Sequence, residues 1–309
     1  MAPIPRTDLD VFGLCLGGNV FGWTANRDES FAVLDAYVAA GGNFIDTADV
    51  YMARAPGNSG GESETIIGEW LAARSGRRDG VVIATKVGKL PGLDNLRAET
   101  IHKAADASLR RLGVETIDLY YAHADDPSTP LAETLGAFGE LIGAGKVRHI
   151  AASNYSAARL AEALETSERE GLPRYVALQP HYNLMERDFE AELRPLLERE
   201  QVACFPFYAL AKGFLTGKYR TDGEAVDSPR AAGAAEYLDE RGERMLARLD
   251  HIAATHGVAP AAVAVAWLRE QPTVVAPIAS ARNEAQLAPL LASVSLNLSD
   301  AELASLSAI

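Results

Sequence analysis

Cysteine is scarce: the 309 residues contain two, Cys15 and Cys204, and both lie inside apolar runs. That excludes a disulfide-stapled scaffold and points to buried thiols in a reducing compartment. Positive charge is also short, with 29 Lys and Arg against 42 Asp and Glu and a formal net charge of −13. Nucleic-acid and anionic-membrane surfaces need clustered basic side chains, so neither partner is expected. One phosphorylated cofactor in a locally basic pocket remains compatible with this balance. No apolar stretch approaches the ~18 residues that span a bilayer, and residues 1–10 hold Pro3, Pro5, Arg6 and Asp8 rather than a signal-peptide core. A soluble, cytoplasmic protein is the expectation. There is no His-x-His or H-E-x-x-H spacing, so a barrel metal hydrolase is disfavoured and no metal site is expected. The 26 Gly and 15 Pro are spread out, leaving no linker and predicting a single folded domain over residues 1–309.

What is present is an alternation of apolar runs and helical patterns. The runs are Phe12–Gly18, Asn43–Ala48, Val81–Val87, Ile117–His123, Val147–Asn154, Tyr175–Gln179, Val202–Tyr208 and Val274–Ser280. Between them, apolar residues recur at helical spacing, as in Phe31, Leu34, Tyr37 and Val38. Helices are expected near Ser30 to Gly41, around Ile66–Leu71, and over Thr100–Leu112, Leu131–Ile142, Ser156–Glu168, Arg187–Arg199, Leu238–Ala254, Ala261–Arg269 and Glu284–Ala292. Strands joined through helices imply a parallel sheet, and eight such units predict a closed (β/α)8 TIM barrel rather than an open doubly wound sheet. A further C-terminal helix is predicted where Ser299 and Glu302 form a capping-box pair.

In such a barrel the loops after the strands build the active face. The second run delivers Asp46 and, five residues later, Tyr51; the third ends near Lys86, the fourth on His123, the fifth on Ser153 and Asn154, and the sixth on Gln179. Singly, each has a plain reading: a cap for Asp46, packing for Tyr51, a satisfied buried histidine for His123. Lys86 is harder to dismiss, because lysine rarely ends a buried run without a partner. Together they suggest proton transfer. An ammonium beside a tyrosine is expected to lower the hydroxyl pKa from ~10, Asp46 to hold Lys86, and His123 to donate a hydrogen bond to a carbonyl oxygen. A hydride source must come from elsewhere.

The stretches Asn43–Tyr51, Gly60-Gly61-Glu62-Ser63-Glu64, Ile83–Lys86, Asp118–His123, Gly145–Arg148, Ser153-Asn154, Gln179–Asn183 and Leu215–Tyr219 resemble the aldo-keto reductases, in the bacterial, potassium-channel β-subunit-like branch. The resemblance runs from about residue 10 to about residue 295. It implies an NAD(P)H-dependent oxidoreductase acting on small-molecule carbonyls, with a tetrad of Asp46, Tyr51, Lys86 and His123 and Tyr51 as general acid. It further implies Ser153, Asn154 and Gln179 on the nicotinamide carboxamide and Phe207, beside Tyr208, stacked on the ring. Leu210, Lys212 and Gly213 would follow along the pyrophosphate, although Lys212 also reads as a solvated charge. Ser280, Arg282 and Gln286 would hold the adenosine end. An Asn common four residues after Gln286 in the family is Leu290 here, yet Arg282 suits a 2′-phosphate, so NADPH is favoured with NADH possible. The absence of G-x-G-x-x-G fits a family without the Rossmann turn. Trp23, Met52 and Arg54 are candidate substrate contacts, although an exposed loop arginine such as Arg54 is more often only solvated, and the connection Thr221–Tyr237 is a candidate cover. The alternative function is a cofactor-binding redox-sensing or regulatory subunit with little turnover.

Overall fold

Continuous apolar runs suit strands buried on both faces, as in parallel sheets flanked by helices. The computed structural model, which describes residues 1–73, 76, 78–221 and 228–309, shows that arrangement. After a small antiparallel hairpin of β1 (Ala2–Pro3) and β2 (Asp10–Val11) come β3 (Cys15–Gly17), β4 (Phe44–Asp46), β5 (Val82–Val87), β6 (Ile117–Ala122), β7 (Val147–Ser153), β8 (Tyr175–Gln179), β9 (Ala203–Cys204) and β10 (Ile278–Ala279). Strands β3 to β9 pair in chain order, all parallel, and β10 adds beside β3. The two ends of the sheet meet through a parallel bridge between Cys204 and Val274, where Cys204 N–H donates to Thr273 O at 2.9 Å and Val275 N–H to Cys204 O at 3.0 Å. The ring is a (β/α)8 barrel.

The α-helices among the described residues are α1 (Arg27–Ala39), α2 (Glu62–Ala72), α3 (Ala98–Leu112), α4 (Leu131–Gly143), α5 (Ala157–Glu170), α6 (Leu193–Glu200), α7 (Ala231–Ala235), α8 (Glu240–His256), α9 (Pro260–Arg269), α10 (Glu284–Ser295) and α11 (Asp300–Ser307). Their ends follow local chemistry. Ser156 accepts from Arg159 N–H to start α5, Gly113 ends α3 at φ 64°, and Ser299 with Glu302 forms the capping box of α11.

The barrel has two apolar cores separated by its wall. Outward strand residues such as Ile45, Ile83, Tyr120 and Leu178 pack against the helices, whereas Phe44, Val82, Ala84, Leu119, Tyr121 and Phe205 fill the interior. Ile4, Leu9 and Val11 join the interior core, so the hairpin plugs the lower end. Each is at most 3% exposed, which contributes roughly 1.5–3 kcal/mol of transfer free energy per side chain.

The sequence did not announce the hairpin, because Ile4 and Leu9 are isolated among polar residues and acquire a core only from the barrel above them. The ladders are also shorter than the apolar runs. Pro206 follows β9 and Pro277 precedes β10, and neither can donate to a ladder. The expected helix over Arg187–Arg199 resolves into a 3-10 turn at Asp188–Glu190 and α6, with Pro195 in the first turn of α6, where proline is tolerated. In the connection expected to cover the pocket, residues 222–227 lie outside the described residues.

Candidate active site

Side chains two apart on a strand share a face, and the interior rows run directly into residues at the upper rim, all polar but Phe207. Phe44 is followed on its face by Asp46, Ala84 by Lys86, Tyr121 by His123, Ala151 by Ser153, Ala177 by Gln179, Phe205 by Phe207 and Ile278 by Ser280. All seven rim residues line one cavity of ≈ 610 Å³ except Lys86, which is buried beneath it with no exposed surface. The barrel core is therefore the floor of the site.

Tyr51 arrives from the loop after β4, which turns tightly through bonds from Ala53 N–H to Val50 O at 3.0 Å and Ala55 N–H to Met52 O at 2.9 Å. The loop's far end is fastened by the Gly60–Glu64 segment. Ser59 N–H donates to Glu62 Oε1 at 2.6 Å, Ser63 Oγ to Gly18 O at 2.8 Å, and Thr85 Oγ1 to the fully buried Glu64, which also pairs with Arg111 at 2.6 Å. These residues hold the loop from which Tyr51 enters the cavity.

Lys86 Nζ donates to Asp46 Oδ1 and Oδ2 at 2.7 and 2.6 Å, to Thr47 O at 2.8 Å and to the Tyr51 hydroxyl at 2.6 Å. The Tyr51 hydroxyl in turn donates to Asp46 Oδ2 at 2.9 Å, and Gln179 Nε2 donates to Asp46 Oδ1 at 2.9 Å. Burial lowers the Lys86 pKa, opposed by Asp46, so the pair is kept by mutual contact rather than by solvent. Burial, then the Asp46 carboxylate, pushes the Tyr51 hydroxyl above the usual tyrosine range, the reverse of the depression expected from Lys86 alone. The reason is that Asp46 largely cancels the Lys86 charge, which leaves desolvation in control. Tyr51 thus stays protonated at neutral pH. The His123 ring meets the Tyr51 ring edge-on at 6.0 Å, and burial together with the charges of Lys86 and Lys89 holds the imidazole well below its usual pKa. It is neutral, with one N–H to donate.

Away from the tetrad, a groove continues across the cavity. Ser153 Oγ donates to Gln179 O at 3.0 Å, and Asn154, at φ 57°, donates to His123 O and Ser153 Oγ, both at 2.9 Å. His181 stacks on Phe207 at 5.3 Å with 16° between planes, while Tyr208 is 40% exposed. Leu210 and Gly213 line the cavity, Gly213 at φ 100°; Lys212 lines it too but is ion-paired with Glu236. Ser280 Oγ donates to Asn19 Oδ1 at 2.7 Å, and Gln286 Oε1 accepts from Arg282 N–H at 3.1 Å. Burial lowers the Arg230 pKa and the charge of Arg282 acts in the same direction. Among the described residues neither guanidinium has a carboxylate partner. Two such groups held near each other fit an anionic ligand such as a phosphate.

The family model of the Aldo/keto reductase family matches residues 13–309. The chain belongs to that family. It is 34% identical to norsolorinic acid reductase stcV of Emericella nidulans, over 97% of this chain and 78% of the relative, and 32% identical to protein tas of Escherichia coli, over 99% and 96%. It is also 32% identical to a probable voltage-gated potassium channel subunit beta of Arabidopsis thaliana, over 91% and 87%. As an aldo/keto reductase it is an oxidoreductase of a family that uses nicotinamide cofactors on small-molecule carbonyls. No single helix among the described residues is long and apolar enough to cross a membrane.

Within this aldo/keto reductase, Trp23 lines the cavity, but Met52 and Arg54 do not. They belong to the tight turns that carry Tyr51 inward, and Arg54 is left on the exposed side. Leu290 also lines the groove. Asn19, Lys89, Lys218 and Arg230 line the cavity without having been singled out from sequence. Lys218 lies inside the motif Leu215–Tyr219, which was the available signal for it; an isolated polar or charged residue in a loop offers none for the others.

Proposed function

We propose that this aldo/keto reductase reduces aldehyde or ketone carbonyls to alcohols with NADPH, through Tyr51 as general acid. The observation that carries the reading is the contact network of the Tyr51 hydroxyl, 2.6 Å from Lys86 Nζ and 2.9 Å from Asp46, in the wall of the cavity. When bound, the nicotinamide supplies the hydride. The chain supplies the proton: Tyr51 releases its hydroxyl hydrogen to the carbonyl oxygen, and Lys86, touching the same phenolic oxygen, offsets the charge left behind. Asp46 fixes Lys86 through both carboxylate oxygens. Neutral His123 donates to the carbonyl oxygen from the other side and adds no charge that would compete with the acid. Ser153, Asn154 and Gln179 are the carboxamide contacts, Phe207 backed by His181 is the ring platform, and Leu210, Lys212 and Gly213 follow the pyrophosphate. Arg282, Arg230 and Lys218 hold phosphate, with Ser280 and Gln286 at the adenosine end.

Mixing the protein with NADPH and 4-nitrobenzaldehyde tests the proposal. Repeated turnover at the expense of the cofactor is expected. Tight NADPH binding with no more than a single round of oxidation would instead favour a regulatory subunit, and no cofactor binding would leave only the barrel.

A further inference from the structure

Positive charge at the cavity mouth is gathered in two places. Lys218, Arg230 and Arg282 belong to the segments around β9 and β10, whereas Lys89 is on the loop after β5, four strands from β9 in the ring and hence across the mouth. The first group accounts for a phosphorylated cofactor; Lys89 is on the wrong side to share that task. It follows Lys86 by three residues, just past Val87, whose carbonyl accepts the His123 backbone N–H at 2.9 Å. The Lys89 loop therefore leaves the barrel beside His123, and the Lys89 ammonium is one of the charges felt by that imidazole.

Among the described residues Lys89 has no anionic neighbour to satisfy it. Among the described residues it makes no ion pair and no hydrogen bond. Asp46, the single carboxylate among the described cavity-lining residues, is engaged by Lys86, Tyr51 and Gln179. In a chain of net charge −13, an ammonium kept free of carboxylates at the catalytic end of a cavity is a preset anion contact. Trp23 lines the same cavity and offers an apolar surface for the rest of a ligand.

We propose that Lys89 is a specificity-determining residue that selects carbonyl substrates bearing a carboxylate a few bonds from the reacting carbon, a reading that rests on the reductase function above. The carbonyl oxygen lies between Tyr51 and His123, and the carboxylate reaches toward the loop after β5.

The test compares 4-carboxybenzaldehyde with the similarly shaped but neutral 4-nitrobenzaldehyde, in wild type, Lys89→Met, Lys89→Arg and Lys89→Glu. The measured quantity is the ratio of kcat/KM for the anionic aldehyde over the neutral one. Lys89 is on the exposed side of the cavity rim, where solvent screens a charge contact to about fivefold. The ratio should fall by that much in Lys89→Met, mainly through KM, fall further in Lys89→Glu and be largely kept in Lys89→Arg. A ratio unchanged by Lys89→Met overturns the assignment. If the wild type reduces neither aldehyde, the reductase reading fails on its own. The Lys89 assignment is then decided by equilibrium binding of the two aldehydes: an anion preference lost in Lys89→Met supports it, and equal affinities overturn it.

Discussion

Asp49, three residues beyond Asp46 on the loop that carries Tyr51, is wholly buried, and among the described residues no side chain donates a hydrogen bond to its carboxylate. Burial, then the neighbouring Glu64 carboxylate, raises it from the ordinary 3.8 to about 7. The folded chain therefore binds more protons here than the unfolded chain between pH ~4 and ~7. The resulting stability is fully present below the unfolded pKa and is lost as pH rises through about 7, a swing of up to ~4 kcal/mol. Urea unfolding of the wild type at pH 5 and pH 8 should show a larger loss at pH 8 than Asp49→Asn shows; an identical loss in both proteins would contradict the account. At this same scale the meeting of these side chains was legible because Asp46, Lys86 and His123 each end an apolar run, where a charge or imidazole has to be justified by a partner. Met52 and Arg54 do not line the cavity, because proximity to Tyr51 in sequence says nothing about which side of a tight turn a residue takes. Arg230 and Lys89 occupy positions that only the closed ring brings to the cavity.

Among the elements, α2 and α3 show how closely the outer layer is fitted. A Cβ on Gly68 would stand 2.1 Å from Arg111 O and 2.9 Å from Leu112 O, so the backbone of α3's last turn rests directly on α2. Arg111 also carries the ion pair to Glu64 that steadies the loop before α2. Gly68→Ala should cost about 1–3 kcal/mol in chemical denaturation. Gly136→Ala, in α4 with nothing within 4 Å of the new carbon, should gain roughly 0.5–1 kcal/mol. Equal effects would show that close helix contact is not what Gly68 serves. Order and type of the elements could be read from sequence because buried parallel strands are continuous apolar runs and caps such as Ser156 and Ser299 have local signatures. Their lengths could not, since ladders stop where Pro206 and Pro277 remove donors. The β1–β2 hairpin has no periodic signal of its own.

For the molecule as a whole, the contrast is between a surface of net charge −13 and a groove holding Lys218, Arg230 and Arg282. Such a protein should bind a phosphorylated dinucleotide through local rather than global charge, with an affinity that weakens as salt rises. Arg282→Ala should weaken NADPH about tenfold or more and NADH much less, as read by fluorescence titration at two ionic strengths. An equal loss for both cofactors would remove Arg282 from the 2′-phosphate.

The most direct test of the central claim is a single-turnover reduction of 4-nitrobenzaldehyde by enzyme saturated with NADPH, wild type against Tyr51→Phe. With Tyr51 as the acid, hydride transfer should slow by roughly 10²–10⁴-fold while the NADPH Kd changes little. Equal rates in the two proteins would contradict the proton path through Tyr51.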